Sequence, residues 1–515
     1  MKRFCLPADH FHNVVEMHRQ VVYPDDLDLL LVELELLSTG RKVFHNLHYR
    51  WMGKNHETIW INCRGRVLSD PEDGSPRYLV GCINEIGAKQ KADNVSGLLG
   101  EYSLKIFYES RSPKLPQGFL LRIGIDDFKN INESHGNEYG DYILRRTAQC
   151  IEENIGPEQS LFHIVADEFA VVDFSGGSVQ QAEDLFHEIK KSIYAFIEQN
   201  QYKAVYTVSG GIVKNGDVDN SFENAMKLSE FALSEAKERG KNSCYVFEEE
   251  EYEDYLKSRT LLRQLHHAVN NGFEGFEAYF QPLVNAANGE LTGAETLLRF
   301  HSPEGGMVSP GEFIPILEES GLIIPVGRWV LRQALDACRE WQKILPEFKV
   351  NVNLSYVQVL KSRVLTDVRR IVDEFGVKPS SVCIELTESG YLEENERFDK
   401  VWNGLKEYGV LLALDDFGTG YSNLRCLSDL KPAYIKIDRS FTLKALNREY
   451  EYRLLNHIVE MSHSLGLHVC VEGIETEGEL TKAKQTEPDY IQGFLFGKPC
   501  SRAEFTQKFF TKQAG

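Results

Sequence analysis

The chain has 515 residues, of which 42% are hydrophobic and 26% are charged, and its formal net charge is −20. This composition excludes a fibrous or largely disordered protein, and the length predicts about three domains. An acidic surface repels nucleic acid and anionic membranes, so a phosphate-bearing ligand requires a local cation. The ten cysteines form no CxxC pair. We therefore expect reduced thiols in a cytoplasmic protein, without a signal peptide or membrane span.

Residues 1–90 contain the alternating segments HNLHYRWM, ETIWINCRGRVL and RYLVGCINEI, separated by turn sequences. This pattern predicts an antiparallel sheet. Together with VYPDDLDLL, these segments resemble the second half of a PAS sensory domain. About twenty residues precede YPDD, fewer than that fold normally has there, so its first strands are expected to be missing or altered. The alternative interpretation is a small β domain used for dimerisation.

Residues 91–250 predict an α+β domain. FLLRIGIDDFKNIN indicates a strand that leads into a helix, SLFHIVADEFAVVDF a hairpin, and amphipathic helices flank the strand YKAVYTVSGGIV. We expect one sheet with helices on one face. From DNVSGLL through IDDFKNINESHGNEYGD to AKERGKN, the region resembles a GGDEF domain. That resemblance implies the ferredoxin-like or palm-like α+β fold of diguanylate cyclases.

The sequence departs from the GGDEF pattern at the positions that a cyclase uses to bind metal and nucleotide phosphates. Gly124 stands where the family has its first metal-binding acid, and Asp126 keeps only the second acid of that motif. Val165 and Ala166 replace two glycines that allow the backbone to approach nucleotide phosphates. The resemblance is therefore to a degenerate domain without cyclase activity.

Two positions of the GGDEF nucleotide site are retained. Asn132 and Asp141 match the positions that contact guanine in the family. The resemblance thus leaves GTP binding open as a regulatory input. The alternative is a scaffold that transmits signals between its neighbours.

Residues 251–515 alternate short apolar runs with amphipathic helices. The eight runs are AYFQPLV, LTGAETLLRF, FKVNVNLS, SVCIELTES, VLLALDDFG, AYIKIDRS, HVCVEGIET and YIQGFLFG. Their number and spacing predict a TIM-like barrel, whose functional groups gather at the C-terminal strand ends. NAANGE joins the first two runs, so strand one is expected to be antiparallel to strand two. A turn centred on Asn288 and Gly289 would place Gln281 opposite Ala294 and Glu295.

Polar residues end or interrupt seven of these runs: Glu295, Asn353, Glu385, Asp415 with Asp416, Lys436, Glu472 and Gln492. Any single acid at a strand end is more often a helix cap or turn residue. Acids that meet at one barrel mouth, however, form a like-charge cluster that bound cations stabilise.

The donor set predicts two Mg²⁺ or Mn²⁺ ions, because it consists of oxygen atoms without histidine or cysteine. Glu295, Asn353, Glu385 and Asp415 could complete much of one coordination shell, and Asp415 with Asp416 could share a second ion. Two such ions, about 3.5–4 Å apart, can activate water and clamp the attacking and leaving oxygens at phosphorus.

These residues also carry a family resemblance. ETLLR at 295–299, QPLV, NVNLS, ELTES, DDFGTGYSNL, IKID, VEGIET and QGFLFGKP resemble the motifs of an EAL domain, the cyclic di-GMP phosphodiesterase barrel. Thr296 replaces the usual alanine of the motif. Because Thr296 should point away from the ligands on a strand, we expect little effect.

The EAL resemblance implies roles for individual residues. Metal binding falls to Glu295, Asn353, Glu385, Asp415 and Asp416. Catalytic or supporting roles fall to Lys436 for the water, Glu472 as general base, Gln492 for positioning, and Glu388 with Glu475 for fixing the loop after DDFGTG. Substrate contacts fall to Gln281, Leu297 and Arg299, whose guanidinium suits a phosphate oxygen.

The sequence thus predicts a bacterial cytoplasmic homodimer that hydrolyses cyclic di-GMP to pGpG under control of PAS-like and GGDEF domains. Two alternatives remain. One is a receptor that binds cyclic di-GMP without cleaving it, although such receptors usually lack one or more of these acids. The other is a bifunctional cyclase and phosphodiesterase, which Gly124 and VADEF disfavour.

Overall fold

The structure is a computed structural model, and it describes residues 14–52, 58–70, 74–86, 93, 95–111, 117–200, 205–217, 221–387, 396–418 and 424–511. The chain divides into two compact units, Met1–Glu253 and Asp254–Gly515. Within the ranges given, the structure contains no helix that is both long and apolar enough to cross a membrane.

The first unit begins with two helices and a small sheet. The elements are α1 (Val14–Val21), α2 (Pro24–Ser38), β1 (Phe44–Met52), β2 (Thr58–Ser69) and β3 (Pro76–Ile86). The strands form an antiparallel sheet in the order β1-β2-β3, which confirms the three predicted strands. Val21, Leu30, Tyr49, Trp51 and Ile61 form the centre of its core. Alternation along β1 directs Tyr49 and Trp51 to the same, buried face.

The middle domain has a five-stranded sheet in the order β5-β6-β4-β7-β8. Its elements are α3 (Glu101–Arg111), β4 (Phe119–Ile125), α4 (Phe128–His135), α5 (Asn137–Asn154), β5 (Gln159–His163), β6 (Glu168–Asp173), α6 (Val179–Gln199), β7 (Val208–Lys214), α7 (Phe222–Glu238) and β8 (Cys244–Val246). The predicted strand-to-helix unit and the predicted hairpin are both present as β4–α4 and β5–β6.

Helices pack on both faces of this sheet, so the expectation of helices on one face is wrong. Gly210 and Gly211 are neighbours on β7 and face opposite sides. A Cβ at Gly210 would lie 2.8 Å from Phe186 of α6, whereas a Cβ at Gly211 would lie 2.4 Å from the backbone nitrogen of Leu233 in α7. Every residue of β4 is buried. Its sequence, FLLRIGI, is apolar except for Arg122, which pairs with Glu168, and this reflects burial from two sides.

The second unit is an α/β barrel. Its elements, including the helix that leads into it, are α8 (Glu249–Asn270), β9 (Phe276–Asn285), β10 (Leu291–Ser302), β11 (Gly306–Val308), α9 (Pro310–Ser320), α10 (Ile323–Trp341), β12 (Lys349–Asn353), α11 (Tyr356–Lys361), α12 (Val364–Phe375), β13 (Val382–Thr387), α13 (Glu396–Tyr408), β14 (Leu411–Phe417), α14 (Leu424–Leu430), β15 (Tyr434–Ile437), α15 (Arg439–Asn447), α16 (Glu449–Ser464), β16 (His468–Val471), α17 (Glu477–Lys484), β17 (Tyr490–Gln492), β18 (Cys500–Ser501) and α18 (Arg502–Phe509).

The eight predicted runs form the closed barrel. Strands β10 and β12 to β17 pair in parallel, and β9 closes the ring by pairing antiparallel with both β17 and β10. The antiparallel first strand is thereby confirmed. Gln281 lies directly opposite Glu295, as the hairpin argument predicts. The connecting turn is longer than an Asn-Gly pair, because the side chain of Asn285 accepts hydrogen bonds from the backbone of Ala287 and Asn288.

Replacement of Gly211 by alanine tests the two-sided packing of the middle sheet. We expect Gly211→Ala to destabilise this domain by about 1–3 kcal/mol, because the new methyl group overlaps α7. Gly216→Ala is the control, since Gly216 is exposed and its Cβ would meet nothing within 4 Å. Hydrogen–deuterium exchange of the β7 amides in the full chain is the measurement. Equal exchange in the two variants would contradict the packing described.

Candidate active site

Four acidic side chains from four barrel strands surround one lysine. The Nζ of Lys436 lies 2.8 Å from Glu472, 3.1 Å from both Glu295 and Glu385, and 3.4 Å from Asp415, each measured to a carboxylate oxygen. The lysine side chain is only 2% exposed. The strand-end residues that the sequence places in one cluster therefore do converge.

Three of these acids are arranged so that they could hold a metal ion. Glu295, Glu385 and Asp415 are buried and can each offer one carboxylate oxygen, with these oxygens all within 4.8 Å of one another. Carboxylate oxygens are the donors that Mg²⁺ and Mn²⁺ prefer. Asn353 lies beside them and donates through Nδ2 to Glu295 over 2.8 Å. The predicted oxygen-donor set is thus brought together on β10, β12, β13 and β14.

Two glutamines, Gln281 and Gln492, lie beside Glu295 in the cluster. Gln492 donates through Nε2 to Glu295 over 2.7 Å and to Gln281 over 3.1 Å. The Oε1 atom of Gln492 is buried and has no hydrogen-bond partner in the part of the chain described. A buried polar atom without a partner is costly, so a bound cation or an ordered water would satisfy it. This orphan oxygen, next to three ligand-type carboxylates, fits a divalent-cation site.

Asn351 is a site residue that the sequence analysis missed. Its Nδ2 donates to Glu385 Oε1 over 2.8 Å, and the residue is 7% exposed. The signal was present in the segment NVN, because residues two apart on a strand face the same side. Asn351 therefore shares its face with Asn353.

Asp416 takes an unusual backbone conformation next to the cluster. Its φ is +57°, in the left-handed region that non-glycine residues seldom occupy. Its N–H donates to Asp415 Oδ1 over 2.9 Å, and the strand pairing shifts register between Leu414 and Phe417. This irregularity lets consecutive aspartates remain close to the same centre, instead of pointing to opposite faces of β14.

Burial and mutual repulsion control protonation in the cluster. Burial alone would lower the pKa of Lys436, but the surrounding acids raise it well above its usual value, so the lysine is charged. Burial raises the pKa of Glu472 to about 8 and that of Asp416 to about 6. Glu385, which is fully buried, also has a pKa well above its usual value.

Glu295 behaves differently from the other acids. Burial acts to raise its pKa, but Lys436, Gln492 and Asn353 together lower it. Its two oxygens accept hydrogen bonds from three donors, Asn353, Lys436 and Gln492. The pKa of Glu295 is therefore shifted in the opposite direction to those of Glu385, Asp415 and Glu472.

A cavity of about 870 Å³ reaches the site at Asn353, which donates to Glu295, whereas none of the four acids around Lys436 lines it. Its wall includes Asn353 together with Leu297 and Arg299, two of the predicted substrate contacts. Most of the remaining lining is apolar and comes from α9, α10 and the segment around α11. The half-buried guanidinium of Arg299 lies 5.5 Å from the ring centre of Tyr279 and donates to the carbonyl of Leu298. The cavity thus combines apolar walls with the cationic side chain of Arg299, and Asn353 connects it to the carboxylate cluster.

Two further residues of the sequence analysis, Glu475 and Thr296, have other surroundings. Glu475 forms an ion pair with Arg439 of α15. Glu388 and most of the loop after DDFGTG lie outside the described residues, so the loop-fixing role of Glu388 and Glu475 stays a prediction. Thr296 lies on the cavity wall, and its Oγ1 is buried without a hydrogen-bond partner among the described residues.

The region of the middle domain around Gly124 and the VADEF hairpin contains ion pairs between side chains of the chain itself. A Cβ at Gly124 would lie 2.9 Å from the Nζ of Lys237, so the lysine fills the space beside that glycine. Lys237 is 3.9 Å from Asp167, and Arg122 donates through Nε to Glu168 over 2.6 Å. Both acids of the VADEF hairpin therefore face cationic side chains.

The remaining predicted nucleotide-site residues are Asp126, Asn132 and Asp141. Asp126 accepts hydrogen bonds from Thr207 and Ser209 at 2.6 and 2.7 Å. Asn132 and Asp141 are half-buried residues of α4 and α5. Their proposed contact with guanine stays a prediction.

Removal of the central charge tests the electrostatics of the barrel site. We expect Lys436→Met to lower the free energy of unfolding of the barrel by about 3–5 kcal/mol in EDTA, because it leaves buried carboxylates without their cation. Lys484→Met, at an exposed position of α17, is the matched control. Hydrogen–deuterium exchange of β13 to β15 in the full chain reports the change. Unchanged protection in Lys436→Met would mean that the lysine does not stabilise these acids.

Comparison with known families is consistent with this architecture. Three family models match the chain in succession: the PAS fold over residues 6–83, the diguanylate cyclase GGDEF domain over residues 103–243 and the EAL domain over residues 262–499. The predicted order of domains is therefore confirmed.

Several curated proteins are similar to the chain. It is 29% identical over 455 residues to cyclic di-GMP phosphodiesterase PdeR of Escherichia coli, covering 88% of this chain and 67% of that protein. It is 29% identical over 381 residues to the bifunctional diguanylate cyclase/cyclic di-GMP phosphodiesterase MucR of Pseudomonas aeruginosa, covering 74% and 55%. An uncharacterized protein of Sinorhizobium fredii, y4lL, is 32% identical over 410 residues, covering 79% and 49%. The chain spans about half the length of several such relatives.

One solved structure, of the PaMucR phosphodiesterase in complex with c-di-GMP, is 32% identical in sequence and has a TM-score of 0.45. The match covers 48% of this chain and 99% of that one. The family models, the closed barrel and the order of the domains agree with one another. The chain consists of a PAS fold, a GGDEF domain and an EAL domain, in that order.

Proposed function

We propose that the barrel hydrolyses one phosphodiester bond of cyclic di-GMP and releases linear pGpG. The observation that carries this proposal is the group of four acids around Lys436, three of them buried, which Asn353 connects to a cavity lined by Arg299. The similarity to EAL-domain relatives supports the same substrate.

The donor set supports binding of two Mg²⁺ or Mn²⁺ ions. Glu295, Asn353, Glu385 and Asp415 would hold one ion, and Asp416 would share the second with Asp415. Bound divalent cations supply positive charge to the phosphate oxygens and lower the pKa of a water nucleophile. The orphan oxygen of Gln492 and the closely spaced carboxylates fit such ions.

Glu472, Lys436 and Gln492 would have the remaining roles in the reaction. Glu472, which contacts Lys436, would accept a proton from the attacking water. Lys436 would donate hydrogen bonds that orient this water and the acids around it. Gln492 would orient Glu295 through the hydrogen bond that it donates to this carboxylate.

The cavity supports an anionic ligand with an aromatic base. The guanidinium of Arg299 can bind a phosphate oxygen through parallel N–H donors. Apolar walls beside Leu297 can accept a purine ring, as is usual in pockets that bind small molecules. Gln281, which contacts Gln492, would complete the substrate side. An acidic protein can thus bind an anionic substrate because the favourable charge is local.

We assign the N-terminal and middle domains a regulatory role within a homodimer. The ion pairs of Lys237 and Arg122 with the VADEF acids support a degenerate GGDEF domain that makes no cyclic di-GMP. GTP bound near Asn132 and Asp141 is the regulatory ligand that the resemblance suggests. A cytoplasmic location accords with a nucleotide second messenger as substrate.

A receptor that binds cyclic di-GMP without cleaving it is the second candidate. The presence of four acids around Lys436 favours the enzyme, because binding alone does not require them. Turnover in the presence of a divalent cation separates the two functions.

Substitution of Asp415 tests hydrolysis. We expect the full chain to convert cyclic di-GMP to pGpG with Mg²⁺ or Mn²⁺, and Asp415→Asn to lower kcat/KM by more than about 100-fold. Loss of a direct ligand should exceed the 10–100-fold cost typical of outer-shell partners. Glu460→Gln, at an exposed site on α16, is the control. Chromatography of the products and calorimetric binding are measured in parallel. Binding without turnover in the unmodified chain would favour the receptor.

Incubation with GTP tests the middle domain. The Asp415→Asn variant is used so that any cyclic di-GMP accumulates instead of being hydrolysed. With GTP and Mg²⁺ we expect no cyclic di-GMP by mass spectrometry, because Gly124 removes a ligand and Ala166 obstructs the phosphate approach. Cyclic di-GMP added to a parallel reaction should be recovered intact, which validates detection. Its formation from GTP would show that the domain is a cyclase.

A further inference from the structure

The strand β12 contributes two amides to the site, and the role of one of them is new. Asn351 and Asn353 lie two residues apart and face the same side of the strand. Asn353 donates to Glu295 on β10, and Asn351 donates to Glu385 on β13. Because β12 lies between β10 and β13 in the sheet, this short strand holds carboxylates on both neighbours.

Glu385 depends on few donors. Its side chain is 0% exposed, and its Oε1 accepts from Asn351 over 2.8 Å while its Oε2 accepts from Lys436 over 3.1 Å. Each oxygen is thus fixed by a different donor. A carboxylate has about four lone-pair positions, so each oxygen retains one that can face a cation. The hydrogen bond to Asn351 is therefore compatible with metal ligation and restricts rotation of the carboxylate.

We propose that Asn351 is a positioning residue that orients Glu385 for divalent-cation binding. The proposal rests on the function proposed above, because it assumes that Glu385 is a ligand. Asn351 itself would touch neither the cation nor the substrate. It would act through the carboxylate, in the way that outer-shell hydrogen bonds orient the ligands of many metal sites.

The geometry also explains why the donor should be an uncharged amide. Glu385 already lies in a cluster that contains Glu295 and Asp415 within reach of one another. An acid at position 351 would add negative charge beside them, and a second buried lysine would compete with the bound cations. An amide supplies the N–H without changing the charge of the site.

Titration of the full chain with Mn²⁺ alone tests this role. We expect Asn351→Ala and Asn351→Leu to weaken Mn²⁺ binding about 10–100-fold, as measured by electron paramagnetic resonance of free Mn²⁺. Asn351→Leu fills nearly the same space, so the affinity can be measured even where the alanine variant does not fold. Asn215→Ala is the matched control, since Asn215 is a buried amide of the middle domain that donates to a backbone carbonyl. Its Mn²⁺ affinity should not change.

The outcomes separate this inference from the proposed function. A merely structural role for Asn351 would lower the melting temperature in EDTA and leave the Mn²⁺ dissociation constant within twofold of the unmodified chain, which would overturn the proposal. An unmodified chain that takes up no Mn²⁺ would instead overturn the two-ion site itself. Strong Mn²⁺ binding with hydrolysis in the unmodified chain, together with weakened binding in both Asn351 variants, supports both conclusions.

Discussion

The contact of one buried ammonium with three buried carboxylates and one partly buried carboxylate is the interaction on which the barrel site depends. Lys436 reaches Glu295, Glu385, Asp415 and Glu472 within 3.4 Å. The attraction between charges in a poorly hydrated interior is strong, but so is the cost of removing each charge from water. A single positive charge cannot neutralise four acids. Burial, reinforced by the remaining negative charge, raises the pKa values of Glu385, Asp415 and Glu472, and the same charge makes the site suitable for cations.

The fold makes this arrangement possible because the acids come from distant parts of the sequence and meet only when the ring of strands closes. The antiparallel strand β9 completes that ring between β17 and β10, and it brings Gln281 opposite Glu295. Gln492 at the end of β17 then connects these two residues by hydrogen bonds. The strand pairing that closes the barrel therefore also positions the carboxylate of Glu295, a proposed metal ligand.

Much of this could be predicted from sequence where the signal is local or periodic. The alternation in strands and the NAANGE turn gave the register of Gln281 against Glu295 correctly. Asn351 was missed because the NVN spacing places it on the same face as Asn353 but does not reveal its contact with Glu385 of the neighbouring strand. The left-handed conformation of Asp416 was not predictable either, because it arises from an irregularity in strand pairing.

The middle domain shows why its helices and its chemistry were harder to predict. Periodicity identified the helices, but the face of the sheet that each one covers depends on tertiary packing at positions such as Gly210 and Gly211. The reduced number of acids was visible, whereas the position of the lysine that fills the space beside Gly124 was not. Such contacts join residues that are far apart in sequence.

The acidic centres of the middle domain and of the barrel differ in how the negative charge of their acids is balanced. In the middle domain, Asp167 faces Lys237 and Glu168 faces Arg122, so each of these two acids lies beside a cation of the chain. These two acids are balanced within the chain and have little need of an external ion. In the barrel the acids outnumber Lys436, and the excess charge can be balanced only from outside or by protonation. The balance of charge within each centre, more than the number of acids it contains, therefore distinguishes a site that can recruit cations from one that is electrostatically complete.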